Sequence, residues 1–349
     1  MAFDFTGFTI AFASVYGIYA ILGISLNLEY GYGGQPNFGQ VLFYGLGAFV
    51  GGTAAANLLP TFAGSSIGNI CDVSATLARE QIALAYPAVS VSVWVIALVL
   101  AMVAGGIVGI VVSYPALRVK EEWYLSMILL VAGEMFRVIT MNTQQLGCGF
   151  NGLGGVTTPF YWLSTYFPSS TLQANVPTGL YAVVIVVLAL ACYEIAQRLG
   201  NSPYGRLLKS VRDDKIAAES LGKDVSKVRD DFIPAVTFSV WVMMILGGYA
   251  NNRGLLVGTF VITMLDRGSL VSGILLQSSF PNFSANLILY ARYMVEAVIL
   301  LLLLVFRQKG IFPETQIKTK AYTLFDFGRK TRLTGSNPDE RQKGRVTSS

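Results

Sequence analysis

The sequence predicts an all-α, polytopic membrane protein, a bundle of transmembrane helices with glycine-rich breaks. Of its 349 residues 53% are hydrophobic and only 13% are charged, whereas about a quarter of the residues in a soluble domain are charged. Apolar stretches of about 20 residues, long enough to cross a bilayer, recur along the chain. The net charge of +5 comes from basic residues in loops and near the C-terminus, as in the cytoplasmic segments of membrane proteins.

Eight apolar segments are predicted to enter the membrane. They cover 8–28, 38–59, 87–114, 123–141, 176–199, 233–249, 254–276 and 287–306. They define a transmembrane domain over 1–306, followed at 307–349 by a basic tail with a disordered composition. The basic residues place the tail and a loop at 198–231 in the cytoplasm, and the loops 60–86 and 142–175 outside. The N-terminal residues lack the basic region of a signal peptide, so the first segment is expected to be retained.

The composition excludes several kinds of site. There is no histidine and the three cysteines are far apart, which excludes histidine-based catalysis and a Cys/His zinc site. Residues 200–206 have the glycine spacing of a phosphate-binding loop but lack its Lys-Ser/Thr. We therefore expect no enzyme and no cofactor bound by this chain. If ATP drives the protein, ATP and Mg belong to another chain.

Residues 202–229 form the longest strongly charged run before the tail. A helix can begin at Pro203, where the missing N–H costs nothing. A second short helix can begin at Asp213 or Asp214 and end at Gly222. The run thus predicts two short amphipathic helices at a membrane surface, shaped to contact another protein. An ordinary solvated loop is the alternative.

Glycine-rich breaks interrupt the apolar pattern twice. The first contains Gly31, Gly33, Gly34, Gln35 and Asn37, and the second Gly247, Gly248, Gly254 and Gly258. Paired breaks of this kind are typical of transport folds built from repeats, in which broken helices line the route. Unwound backbone N–H groups can bind a carboxylate, and neutral amides suit a zwitterion. The first break is therefore the predicted translocation route, with close helix packing at glycine as the alternative.

Several ionised residues lie inside the apolar segments. Glu134 and Arg137 are spaced i, i+3, and Arg292 and Glu296 are spaced i, i+4, so each pair shares a helix face. Such residues usually face a bundle interior or a cavity. They could line the route, lock helices together or lie near a helix end, and we expect a structural role for both pairs. The Asp266-Arg267 step is predicted to mark a short polar break.

Two cysteines lie in the predicted outer loops, Cys71 in the first and Cys148 in the second. Because they would share one compartment, they can form a disulfide if their Cα atoms lie within about 7 Å of each other. Two unpaired surface thiols are the alternative. Cys192 is expected to pack as a small apolar residue.

Four blocks of sequence carry a resemblance to a known family. They are SLNLEYGYGGQ at 25–35, GEMFR at 133–137, RDDKIAAESLG at 212–222, and the second break together with FRQKGIFPE at 306–314. In this order they resemble the permease subunits of branched-chain amino acid ABC transporters of the LivM type. The likeness extends over about residues 10–314.

The resemblance implies a permease subunit of an ABC importer in the cytoplasmic membrane. Its partners would be a second homologous permease, two ATPase subunits and an external substrate-binding protein. Branched-chain amino acids are the implied substrates, and urea or short amides are the alternative substrates. An ion-coupled secondary transporter is the alternative class of protein. The third block resembles the EAA-type loop that docks on the ATPase. This implies a coupling role for Arg206, Arg212, Asp213, Asp214, Ala217, Ala218, Glu219 and Gly222.

The sequence departs from the family pattern after the charged run. In the family an apolar, Ala/Gly-rich helix follows the coupling loop, whereas here Arg229 is followed almost directly by what resembles the next segment. Three apolar segments would then join a cytoplasmic loop to a cytoplasmic tail, which an odd number of crossings cannot do. One segment is re-entrant, the tail is outside, or the family fold is incomplete.

Overall fold

The computed structural model describes residues 4–34, 36–116, 122–144, 147–213, 238–279, 285–307 and 310–312. All regular structure within these ranges is helical. The α-helices are α1 Phe5–Leu26, α2 Gln40–Phe62, α3 Val73–Ala85, α4 Pro87–Ala116, α5 Glu122–Asn142, α6 Ser170–Asn201, α7 Pro203–Asp213, α8 Phe238–Gly247, α9 Asn252–Ser279 and α10 Ala285–Phe306. A π-helical segment, Asn27–Tyr32, continues α1, and 3-10 turns cover Gly149–Asn151 and Tyr161–Tyr166.

Seven of the described helices are about 30 Å long or longer, the thickness of a bilayer core. Five of these have both the length and the apolar composition of a membrane span: Phe5–Tyr32, Leu42–Phe62, Pro87–Val112, Ser170–Asn201 and Asn252–Gln277. Helices α5 and α10 have the length as well. The predicted fold class, an all-α polytopic membrane protein, is confirmed.

The long helices pack in two groups. In the first, α1 packs lengthwise on α6 and on α9, and α9 also packs on α8 and α10. In the second, α2 packs on α4 and α5. Helices α1 and α6 run parallel, because Gly17 lies against Ile185 and Gly200 lies against Tyr32. Residues 33–39 lead from the first group to the second.

The two ends of the bundle carry different structures. At one end, which we call the distal end, α3 packs on the turn that precedes α6. Asp4 caps α1 there, and its bond from the N–H of Gly7 lowers the pKa of the carboxyl group. At the other end, which we call the coupling end because the predicted coupling loop begins there, α7 follows α6. Helix α8 also ends there and α9 begins there, so α9 and α10 cross the bundle and return to the coupling end. The three explanations for the departure after the charged run concern residues 214–237, which lie outside the described residues.

Three predicted features differ from the structure. Residues 60–86 contain helix α3, which buries Ala75, Arg79 and Ala83 along one stripe. Helix α6 begins at Ser170, six residues before the predicted start. The polar break predicted at Asp266-Arg267 is wrong, because α9 is continuous from Asn252 to Ser279. Asp266 pairs with Arg292 of α10, so its charge is satisfied without a helix end.

Candidate functional site

Helix α7 lies on the π-helical segment at the end of α1. It begins at Pro203 as the sequence predicts, and the Ser202 hydroxyl accepts the N–H of Gly205 at 3.1 Å. Its apolar face carries Leu208, which is buried against Tyr32. The first half of the predicted coupling loop is therefore seated on the first glycine-rich break.

The predicted coupling residues fall into two sets. Arg206 and Arg212 belong to α7, and Asp213 is its last residue. Arg206 is exposed and donates to the carbonyl of Asn201 at 3.4 Å. The other members of the set lie outside the described residues: Asp214, Ala217, Ala218, Glu219 and Gly222.

Arg212 connects α7 to both glycine-rich breaks. Its guanidinium donates to the carbonyl of Gly31 in the first break. The same guanidinium lies 5.8 Å from the ring centre of Tyr249, in the turn of the second break. Its stem lies against Gly34, where an added Cβ would come within 2.6 Å of the Arg212 Cγ. Gly34 also has a φ of +75°, in the left-handed region that favours glycine.

A buried amide network joins α1 to the turn between α8 and α9. Asn27 accepts the N–H of Ala250 at 2.8 Å and donates to Asn252 at 2.7 Å. Asn252 donates in turn to Gln197 of α6 at 3.2 Å. Gly31 lies so close to this network that an added Cβ would be within 3.0 Å of the Ala250 nitrogen. The end of α1 and the second break are therefore held in direct contact.

The rest of the first break is held between α5 and α8. The carbonyl of Pro36 accepts a hydrogen bond from Ser126 of α5, and the carbonyl of Asn37 accepts one from the Trp241 indole of α8 at 2.8 Å. The Asn37 side chain accepts the N–H of Gly39 and donates to Glu29 at 3.1 Å. Gln35 lies outside the described residues. Asn37 thus fixes the break rather than pointing into open space.

Two buried polar residues at the first break were missed by sequence reasoning. Glu29 is 3% exposed and Gln40 is 0% exposed. The Oε2 of Glu29 and both amide atoms of Gln40 have no hydrogen-bond partner among the described residues. The available signal in the sequence was the carboxylate of Glu29, between an apolar segment and a glycine-rich break. The functional interpretation was placed on the glycines of the same run instead.

The second break is closed by backbone contacts. A Cβ at Gly247 would lie within 3.0 Å of the backbone of Gly254, and α8 crosses α9 at these glycines. The carbonyls of Leu246 and Gly247 accept the N–H groups of Ile311 and Phe312 at 2.9 and 3.0 Å. Residues 310–312, which the sequence assigned to the tail, therefore pack on the transmembrane part. The remaining tail, 313–349, lies outside the described residues.

The two predicted charge pairs have different surroundings. Glu134 and Arg137 form an ion pair at 2.8 Å, with side chains 53% and 50% exposed. Arg292 lies 3.4 Å from Glu296 and also pairs with Asp266, inside the packing of α8, α9 and α10. Glu296 accepts a further bond from Ser239 of α8 at 3.0 Å. The inner cluster therefore fastens three helices together, whereas the outer pair fastens none.

The distal end contains a second fastening. Cys71 and Cys148 form a disulfide with Cα atoms 5.3 Å apart. Beside it, the buried Arg79 of α3 donates to the carbonyls of Ile70 and Gly154 at 3.0 and 2.6 Å. Both contacts tie the segment around α3 to residues 147–155, far from the two breaks. Cys192 is a free, half-buried cysteine of α6 that packs beside the main core.

A helical bundle with paired glycine-rich breaks and a surface helix seated on them has the organisation of a membrane permease. Residues 8–230 match the family described as the permease component of branched-chain amino acid transport systems. The chain belongs to this family. The matched region ends at residue 230, where the sequence departs from the pattern of the resemblance.

The curated relatives are permeases as well. The chain is 27% identical to the probable branched-chain amino acid transport permease protein LivM of Methanocaldococcus jannaschii, with 87% of this chain and 93% of the relative covered. It is 24% identical to the high-affinity branched-chain amino acid transport system permease protein LivM of Salmonella typhimurium, with 87% and 70% covered. No solved structure matches the chain significantly.

Proposed function

We propose that this chain is the permease subunit of an ABC importer that carries branched-chain amino acids across the cytoplasmic membrane. Its membership of the family and the printed function of its relatives support the substrate class. The observation that carries the proposed coupling is the seating of α7, whose Arg212 touches both glycine-rich breaks. A solvated loop without a partner does not need such contacts with the interior of the bundle.

The proposed assembly contains four further chains. A second, homologous permease completes the translocation route, two ATPase subunits bind ATP and Mg, and an external binding protein delivers the substrate. The exposed Arg206 faces away from the bundle and is available to an ATPase at the coupling end. In this assembly the chain itself performs no chemical step.

The contacts of Arg212 suggest how force would pass through the chain. When the ATPases close, α7 moves, and the Arg212 bond to Gly31 moves the end of α1 with it. Because Asn27 binds the turn between α8 and α9, the second break follows. The two helix groups meet at residues 33–39, so their relative rocking opens or closes the first break. This is the alternating access expected of such folds.

Uptake by the reconstituted complex tests the proposed function. Purified permeases and ATPases in vesicles, supplied with the binding protein, should import labelled leucine when ATP is present and should not import labelled urea. Uptake of urea alone would contradict the substrate class. Leucine uptake driven by an ion gradient without ATP would contradict the ABC mechanism.

The predicted second half of the coupling loop has its own test. Replacing Glu219 or Gly222 should reduce the ATP hydrolysis that accompanies transport, while the permease still reaches the membrane. Arg253→Ala serves as the matched control because Arg253 is exposed at the same end of the bundle. Unchanged coupling in the Glu219 and Gly222 variants would remove this loop from the ATPase contact.

A further inference from the structure

Among the described residues, three buried polar atoms at the first break have no hydrogen-bond partner. They are the Oε2 of Glu29 and both the oxygen and the nitrogen of the Gln40 amide. Buried polar atoms are nearly always paired, since an unpaired one loses its hydrogen bonds to water without compensation. Three of them on two side chains at one break therefore point to a ligand.

The hydrogen-bonding capacity of these atoms restricts the ligand. Glu29 Oε2 and Gln40 Oε1 are acceptors, whereas Gln40 Nε2 donates two hydrogen bonds. A proton on Glu29 would make its Oε2 a donor, and both a proton and a metal cation would leave the Gln40 nitrogen unpaired. An amino acid zwitterion satisfies all three atoms, because its ammonium group donates and its carboxylate accepts.

An aromatic wall, formed by Tyr30, Phe38 and Trp241, is joined to Glu29 through Asn37. Tyr30 and Phe38 contact Trp241 with ring centres 4.7 and 5.0 Å apart. Tyr30 follows Glu29 in the chain, and Trp241 donates to the carbonyl of Asn37, whose side chain binds Glu29. A polar cluster that adjoins an apolar wall is the usual composition of a small-molecule site. This wall suits the aliphatic side chain of a hydrophobic amino acid.

We propose that Glu29 and Gln40 form the polar half of a substrate site at the first break. The Glu29 carboxylate accepts from the α-ammonium group, the Gln40 amide donates to the α-carboxylate, and the Tyr30–Phe38–Trp241 wall contacts the side chain. The inference rests on the proposed function and specifies where the substrate is recognised. Gly31 lies two residues beyond Glu29, and its carbonyl accepts a hydrogen bond from Arg212 of α7. Movement of α7 would therefore open and close this site.

The test compares isosteric variants in the reconstituted complex. Glu29→Gln and Gln40→Met keep the shape of each side chain but remove the charge or the amide. Each should lower kcat/KM for leucine uptake by about 10- to 100-fold, the effect of losing a charge-assisted hydrogen bond. Glu29→Asp, which keeps the charge, should recover part of the loss. ATP hydrolysis stimulated by the loaded binding protein should be unchanged in all three.

Glu194→Gln is the matched control. Glu194 is an exposed carboxylate of α6. The register of the parallel helices α1 and α6 places it within about one turn of the depth of Glu29. Its removal should leave uptake unchanged. A loss of uptake in Glu29→Gln would then result from the loss of the proposed site and not from a change of charge in the membrane.

Two results would overturn the proposal. Wild-type uptake in Glu29→Gln and Gln40→Met would mean that the open atoms hold only water. A parallel loss of uptake and of stimulated ATP hydrolysis would mean that these residues serve folding or coupling. Failure of the proposed function looks different, because the wild-type complex itself would then import no leucine.

Discussion

The two glycine-rich breaks share a sequence pattern but differ in their surroundings. At the second break, α8 and α9 touch backbone to backbone through Gly247 and Gly254, and residues 310–312 bond the open carbonyls of α8. At the first break, Glu29 and Gln40 keep open polar atoms, and a side chain from α7 reaches the backbone. The second break is therefore a closed joint, whereas the first is where we propose that a ligand and a moving helix act.

The comparison teaches that glycine spacing alone does not assign a role. In both breaks glycine permits a close approach, but of different partners. At Gly247 the partner is another backbone, which cannot turn aside as a side chain can. At Gly34 the partner is the flexible side chain of Arg212. Substitutions should therefore affect mainly stability at the second break and mainly transport at the first.

The largest effect is expected for Gly247→Ala. The new Cβ would meet the backbone of Gly254 within 3.0 Å, and no side-chain movement relieves the clash. We expect destabilisation on the order of 5 kcal/mol, seen as loss of monodisperse protein in detergent and a lower Tm. Gly52→Ala is the control, since a Cβ there meets nothing within 4 Å. A Gly247→Ala protein as stable as wild type would disprove the closed joint.

Removing Arg292 should rank next. Arg292→Ala leaves the buried Glu296 without its cation and leaves Asp266 only its neighbour Arg267, which costs about 3–5 kcal/mol. Arg137→Ala breaks an exposed pair and should cost about 0–1 kcal/mol. Thermal unfolding of both variants in the same detergent checks the difference. Equal losses would mean that α8, α9 and α10 are not fastened by the inner cluster.

The disulfide at the distal end provides a test away from both breaks. Cys71→Ser removes a cross-link between residues 77 apart in sequence, and typical losses of stability are about 2–4 kcal/mol. Transport per folded complex should be unchanged, because Cys71 contacts neither break. Peptide mapping under non-reducing conditions checks the bond itself, and two free thiols in the wild-type protein would exclude it.

Gly34→Ala should lose less stability than Gly247→Ala, Arg292→Ala or Cys71→Ser. The left-handed backbone disfavours alanine by about 1–2 kcal/mol, and the Arg212 side chain can move aside. Transport should nevertheless fall strongly, because Arg212 can no longer reach Gly31. Tm and leucine uptake measured on one preparation separate the two effects. Loss of both in proportion would make the first break a structural joint like the second.

Local signals in the sequence predicted much of the fold. The length of the apolar segments predicted the long helices, and Pro203 predicted the start of α7. The glycine runs gave the positions of both breaks. These features depend on neighbours in the chain, so a single sequence contains them.

The remaining features depend on partners that are distant in the chain. Helix α9 continues through Asp266 because Arg292 lies opposite it, 26 residues further on. Helix α3 forms within a predicted loop because its buried stripe packs on the distal end. The open atoms of Glu29 and Gln40 are recognised only once their surroundings are known. No periodicity in the sequence reports any of these contacts.

The most direct measurement is the coupling of Arg212→Ala in the reconstituted complex. Uptake of leucine and ATP hydrolysis are followed together, with Arg253→Ala as the control. If α7 drives the first break through Arg212, basal ATP hydrolysis continues, its stimulation by the loaded binding protein is lost, and uptake falls about tenfold or more. An Arg212→Ala complex that imports as much leucine per ATP as wild type would contradict the account.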